Sequence, residues 1–102
     1  MTRHVLGDPS EFPEGTGVGV EVDGLPIAVY RVDGEFYALS NRCPHKGGPM
    51  FEGTVDAEAC SVQCPWHGWE WDLASGRFVV DERQRLRTFD VGVEGGSVVL
   101  DL

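Results

Sequence analysis

The sequence predicts an all-β fold, a small and mostly antiparallel domain in which helix is a minor component. Short runs rich in β-branched and aromatic residues recur along the chain, and Asp-Gly or Gly-Gly pairs stand between consecutive runs as hairpin turns. Within one run Val18, Val20 and Val22 alternate with small or polar residues, the pattern of a half-buried strand.

The elements follow in order. Asp8-Pro9-Ser10-Glu11-Phe12 is expected to form one helical turn, and His4 before it is read as a surface residue. Asp23-Gly24 and Asp33-Gly34 flank the Leu25 to Val32 run, and Glu35-Phe36-Tyr37-Ala38-Leu39 continues after the second turn, giving an opening meander. The repeated Val-Asp-Gly is turn chemistry, since nothing of that period continues. Residues 54–59 are expected to make a short helical excursion, and Ala59-Cys60-Ser61-Val62-Gln63 a strand with Cys60 as a small buried residue. Residues 69–73 and 77–80 form a hairpin across Ala74-Ser75-Gly76, and residues 86–93 and 97–100 form another across Glu94-Gly95-Gly96. Arg83, Arg85 and Arg87 alternate, which on a strand projects them from one face with Leu86 on the other; a solvated face and a docking stripe are the two readings.

A chain of 102 residues is expected to be one domain, 1–102, with residues 41–76 as an insert. The apolar fraction of 41% and charged fraction of 25% are those of a globular protein, and no apolar run approaches the ~18 residues that span a bilayer. No membrane is expected as a partner. Met1-Thr2-Arg3-His4-Val5 lacks both a charged region leading into a long apolar one and a twin-arginine pair, so the expected location is cytoplasmic. With a net charge of −9, nucleic acid is not expected as a partner. The three cysteines, an odd number, argue against a disulfide framework.

The chemistry lies in two short motifs, Cys43-Pro44-His45 and Cys64-Pro65-Trp66-His67, each built from one thiol and one imidazole. Two Cys and two His fit either a structural zinc site or a [2Fe–2S] cluster in which two His replace two Cys on one iron. Ligands one or two residues apart reach one small centre only if the backbone turns sharply, and Pro44, Gly47, Gly48, Pro65 and Gly68 are turn-making residues. Zinc fingers place their His pair on a helix, and no helical period surrounds His45 or His67.

The first motif continues as Lys46-Gly47-Gly48-Pro49-Met50, and the second as Gly68-Trp69-Glu70-Trp71-Asp72 with a Gly turn at Gly76. This combination resembles the Rieske [2Fe–2S] family, in its soluble ferredoxin-like branch. The resemblance implies a small β barrel or sandwich with two loops gripping the cluster at one tip. It makes Cys43 and Cys64 the ligands of one iron and His45 and His67 those of the other. The gap of eighteen residues between the motifs is at the long end of the family's range, with the extra length in residues 52–60. Respiratory-chain members carry an extra Cys in each loop, paired as a disulfide; Gly48 and Trp66 stand at those positions here, as in the disulfide-free ferredoxin type.

The resemblance also implies a function. The expected role is a one-electron carrier, not an enzyme by itself, that passes electrons from a flavoprotein reductase to a terminal oxygenase. The chain is expected to be monomeric. A terminal oxygenase itself is excluded, because a non-haem iron site needs two further His and a carboxylate, and only His4 remains. Two alternatives stay open: the small subunit of an assimilatory nitrite reductase, docked on its large subunit, and a zinc-stabilised interaction domain. In the family His45 and His67 would turn a ring nitrogen to solvent as the electron port, and the potential would fall as those rings lose protons. High-potential members have a Ser two residues and a Tyr four residues after the second His. Here Trp69 and Trp71 stand there without a hydroxyl, which places the potential near the low end of roughly −150 to +300 mV. Trp69 and Trp71 are read mainly as packing, Trp66 as shielding for the centre, and Lys46 as an ordinary surface lysine. An oxidised cluster with two thiolates is neutral, so surface charge governs docking, and an acidic carrier is expected to meet basic partners at a rate that falls with salt.

Overall fold

The computed structural model describes residues 3–41, 49–65, 68–81 and 83–102. Among the described residues nine strands make up the all-β architecture: β1 (Arg3–Gly7), β2 (Gly17–Val22), β3 (Leu25–Val32), β4 (Glu35–Ser40), β5 (Thr54–Asp56), β6 (Ser61–Gln63), β7 (Glu70–Asp72), β8 (Thr88–Glu94) and β9 (Ser97–Asp101). They form a six-stranded sheet in the order β1-β9-β8-β4-β3-β2 and a three-stranded sheet in the order β5-β6-β7, with every pairing antiparallel.

β3 explains the layering. A strand with one wet face alternates in polarity, whereas Ile27, Ala28, Val29 and Tyr30 are all fully buried, so β3 is covered on both sides. Ile27 and Val29 point into one core with Val22, Ala38, Val98 and Leu100, packed by Leu6 from β1 and by Val18 and Val20 from β2. The two edge strands thus share one core, and the sheet curls until His4 Nε2 of β1 lies 3.4 Å from Asp23 Oδ2 in the β2–β3 turn. Ala28, Tyr30 and Val32 point the other way, into a second core with Leu39 of β4 and Val62, Trp71 and Leu73 around the small sheet. The small sheet is therefore a lid on the outer face of β3 and β4. The described residues between β4 and β8 lie outside the large sheet, and β4 pairs directly with β8 through Ala38↔Phe89 and Leu39↔Thr88.

The hairpins predicted from Asp-Gly and Gly-Gly turns form where expected, with Asp23 and Asp33 in the left-handed region at φ 51° and 52°. The turn at residues 9–11 also forms, capped by the Asp8 carboxylate accepting from Ser10 N–H while Glu11 accepts from Asp8 N–H.

Other expectations are corrected. His4 is half-buried on β1, a strand the sequence did not reveal, because its pairing partner β9 lies at the other end of the chain. Residues 54–59 hold no helix: β5 ends in a turn in which the Asp56 carboxylate accepts from Glu58 and Ala59 N–H, the side-chain mimic of a backbone turn. Cys60 belongs to that turn, at φ 52° and half-buried, and hydrogen-bonds with the Tyr37 hydroxyl. Residues 77–80 and 83–87 are not strands but irregular chain held by single bridges, Trp71↔Phe78 and Arg77↔Arg85. The expected two-faced pattern does not form: Arg83, Gln84, Arg85 and Arg87 are all exposed, and Leu86 alone of residues 83–87 is buried.

The lid returns to the large sheet at Gly76, at φ 75°, where an added Cβ would stand 2.2 Å from Leu86 O; at Gly24, at φ 80°, it would meet nothing within 4 Å. Gly24→Ala should cost only the left-handed penalty of roughly 1–2 kcal/mol. Gly76→Ala should cost about 1–3 kcal/mol more, as overpacked cores do. Urea unfolding of the two variants checks this, and equal losses would remove the close approach from the account. The Tyr37 phenol is pushed up to about 12, first by its bond to Cys60 and then by desolvation. The unfolded chain releases that proton near ~10. The bond's contribution is therefore whole below pH ~10 and is lost as pH climbs through the folded value. Across pH 9 to 11 the urea midpoint should fall more steeply for the native chain than for Tyr37→Phe, and parallel slopes would refute the bond.

Candidate metal centre

Of the four predicted ligands, Cys64 is described; Cys43, His45 and His67 lie outside the described residues, as do Lys46 and Trp66. What the structure gives is the frame from which both ligand segments depart and to which they return.

The first segment leaves β4 at Asn41 and returns at Met50. Asn41 ties both legs: its N–H donates to Pro26 O, its carbonyl accepts from Met50 N–H at 3.4 Å, and its side-chain oxygen accepts from Phe51 N–H at 2.8 Å. On the core side, Tyr30 reaches across from β3 and its hydroxyl donates to Met50 O. Burial, and secondarily any charge on Cys64, hold the Tyr30 phenol well above its ordinary range, so it stays a donor at every ordinary pH.

The second segment is a closed turn. Cys64 N–H donates to Trp69 O at 2.7 Å, Gly68 N–H donates back to Cys64 O at 3.0 Å, and the Gln63 amide donates to Gly68 O at 3.1 Å. The two frames touch at Gly53, where an added Cβ would lie 2.5 Å from Gln63 O and 3.1 Å from Met50 O. Only a residue without a side chain lets the return leg of the first segment lie on the strand that enters the second. The motifs, eighteen residues apart in sequence, are thus brought together by β5 and β6.

Cys64 is 2% exposed, is not in a disulfide, and shares the second core with Tyr30, Met50 and Trp71. A thiolate in such a place is costly unless a cation meets it. Among the described residues no Lys, Arg or His pairs with it, and no group of three or more His, Cys, Asp or Glu stands together. A buried sulfur at the rim of a turn fits a metal ligand whose counter-charge is the metal. Beside it Trp69 stacks on Phe78 at 4.5 Å and 8°, and Trp71 packs against the same ring at 4.9 Å. This aromatic wall keeps water from one flank, as the reading of Trp69 and Trp71 as packing residues requires. The indole N–H of Trp71 is buried with no acceptor among the described residues.

Sequence reasoning missed the clamps. Asn41 directly precedes the first motif, and a Tyr inside an apolar run needs a partner for its hydroxyl; both were signals, but neither names its partner.

Comparison with known proteins bears on which metal this is. The Rieske [2Fe-2S] domain family matches residues 2–90. The ferredoxin component of the naphthalene 1,2-dioxygenase system of Pseudomonas aeruginosa is 37% identical over 93 residues, 90% of this chain and 88% of that one. The 3-phenylpropionate/cinnamic acid dioxygenase ferredoxin subunit of Escherichia coli K12 is 35% identical over 103 residues, 100% of this chain and 95% of that one. Among solved structures, the ferredoxin of carbazole 1,9a-dioxygenase from Nocardioides aromaticivorans IC177 superposes with a TM-score of 0.90 at 26% identity, covering 98% of this chain and 97% of its own. A Mycobacterium tuberculosis protein named as a candidate NADH-dependent nitrite reductase small subunit gives 0.90 at 26%, covering 97% and 93%. A chain in a complex of reduced oxygenase and oxidized ferredoxin of carbazole 1,9a-dioxygenase gives 0.85 at 31%, covering 96% and 91%.

The clamp on the first segment is testable without its metal. Tyr30→Phe leaves Met50 O buried and unpaired, and should lower the unfolding free energy by about 1–3 kcal/mol. Limited proteolysis between residues 41 and 50 should speed up in the same variant, whereas loss of stability with no change at that segment would mean that Tyr30 only fills space.

Proposed function

The chain belongs to the Rieske [2Fe-2S] domain family, and from that premise we propose that Cys43 and Cys64 hold one iron, and His45 and His67 the other, of a single cluster. It carries one electron at a time from a flavoprotein reductase to a terminal oxygenase. The observation that supports this best is Cys64, a free and buried thiol on a closed turn whose frame is locked to that of the Cys43 segment. The 102 residues act as one domain with the cluster-bearing insert beginning at residue 41, working as a monomer in the cytoplasm, where thiols stay reduced.

When bound, the cluster supplies a one-electron couple with no open position for a substrate. The chain itself therefore transforms nothing and serves as the electron-transfer component of an oxidoreductase system. Its own residues keep the couple in place and partly dry. Asn41 and Tyr30 fix the legs of the first segment, and the Cys64–Trp69 and Gly68–Cys64 bonds fix the second. Trp69, Trp71 and Phe78 exclude water from one side. Hydrogen bonds at the ends of both segments would limit how far the ligands move when an electron arrives or leaves, the condition for low reorganisation.

Relatives at 35 and 37% identity are ferredoxin components, which supports the diffusing carrier. The nitrite reductase reading is favoured only by the structural likeness at 26%. Copurification with a large subunit separates the two. A zinc-stabilised interaction domain, open on the residues alone, gives way to family membership.

Protein purified without oxygen should contain two irons and two labile sulfides per chain. After dithionite it should show a rhombic signal with average g well below that of all-Cys clusters. Because neither Trp69 nor Trp71 offers a hydroxyl, the midpoint should lie below zero, near the low end of roughly −150 to +300 mV. A colourless protein with stoichiometric zinc would sink the carrier reading; a positive potential would overturn the hydroxyl argument alone.

A further inference from the structure

The charge of the molecule is unevenly placed. Residues 77–89 hold four of the eight cationic side chains, Arg77, Arg83, Arg85 and Arg87, against Asp81 and Glu82. This segment carries +2 in a chain of −9. It also holds the most exposed apolar side chain in the described residues, Val80 at 83%, next to Val79 at 50%.

Its position is fixed by contacts on both legs. On the outward leg, Trp71 pairs with Phe78 and Val79 N–H donates to Glu70 O, so the chain climbs beside β7 toward the Cys64 turn, whose Trp69 stacks on Phe78. On the return leg, Phe78 N–H donates to Gln84 O, Arg85 bridges Arg77, and Arg87 O accepts from Ser40 N–H at the root of the Cys43 segment. Val79 and Val80 therefore crest at the end where Cys64 lies, and the arginines run down from it. Arg83 is held by Asp81 through two 3.0 Å bonds. Arg85 is exposed with no ion-pair partner among the described residues, and Arg87 is exposed 4.7 Å over the Phe89 ring. Acids also stand along the lid, with Glu70 bonded through its backbone to Val79 and Asp81 bound to Arg83, and others lie at the opposite end. The β3–β4 turn holds Asp33 and Glu35 with the Glu14 carboxylate bound to Asp33 and Gly34 N–H, and Glu94 closes β8 far from Arg87.

We propose that the exposed Val79–Val80 pair, rimmed by Arg83, Arg85 and Arg87, is the docking surface of the carrier, and that its occupant is a redox protein presenting an apolar face with an acidic rim. The proposal rests on the carrier reading and names the chemistry of its partner. Valines offer contact area that loses its water on docking, while exposed arginines set orientation and encounter rate. The sign follows from Arg85 and Arg87, exposed and without an acidic side-chain partner among the described residues, which draw a partner's acidic rim. Net charge alone demands the opposite, a basic partner meeting an acidic carrier. A single one-electron centre would take its electron from the donor and give it to the acceptor by the same route, so donor and acceptor bind this crest in turn.

Small oxidants of opposite charge decide between local and net charge. The reduced holoprotein is mixed in stopped flow with tris(oxalato)cobaltate(III), an anion, and with tris(phenanthroline)cobalt(III), a cation, at rising ionic strength. The proposal expects the rate with the anion to fall as salt rises, although both reactants are formally negative. Arg85→Glu with Arg87→Glu should slow the anion about threefold or more at low salt and reverse that dependence. The visible spectrum and far-ultraviolet dichroism should be those of the native protein, and Arg3→Glu at the far edge strand should change the rate little. An anion rate that rises with salt, or that ignores the double reversal, overturns the proposal while leaving the carrier reading intact. A protein that reduces neither oxidant sinks the carrier reading and the proposal with it.

Discussion

The whole structure depends on β3 being buried on both faces. Ile27 and Val29 close the curled sheet from within, and Ala28, Tyr30 and Val32 anchor the lid from without. A single strand is the shared wall of both cores, so the ligand frame has no stability of its own to lose separately. Tyr30 makes the dependence concrete. Its ring belongs to the second core, its hydroxyl fixes Met50 at the return of the first ligand segment, and its phenol feels charge on the ligand of the second. The register of β3 is pinned by hairpins at both of its ends, and a slip by one residue would exchange the two faces.

How much was legible in the sequence follows from range. β2 to β3, β3 to β4 and β8 to β9 are joined by two-residue turns, and their signals are local, so these strands could be read almost to the residue. β1 pairs with the far end of the chain, and nothing within residues 3–7 announces that. The arginine segment was misread for a related reason. Leu86 alone of residues 83–87 reaches the core, from irregular chain, and a sequence periodicity of two does not distinguish that from a strand. Residues 54–59 and Cys60 were misread because an Asp side chain supplies the turn's hydrogen bonds, and a turn that takes Cys60 to φ 52° leaves no compositional trace like Gly. At the site the ligand motifs were legible because thiols and imidazoles in that spacing have few other uses. The clamps were not, because a hydrogen bond from Tyr30 to Met50 O spans twenty residues and uses a backbone acceptor that every residue has.

The separation of tasks within the chain has a physical logic. The frame around Cys64 is apolar and hydrogen-bonded inward, as a neutral, rigid holder should be, so it contributes little to long-range recognition. Recognition then falls to charge on the surface, and surface charge acts over about 10 Å at ordinary salt. At that range a net charge of −9 is less informative than the charges nearest the contact, which at this crest include the exposed Arg85 and Arg87. An electron carrier that must release each partner quickly benefits from such a surface: a small apolar contact with a charged rim gives fast, oriented encounter without the large buried area that would slow departure.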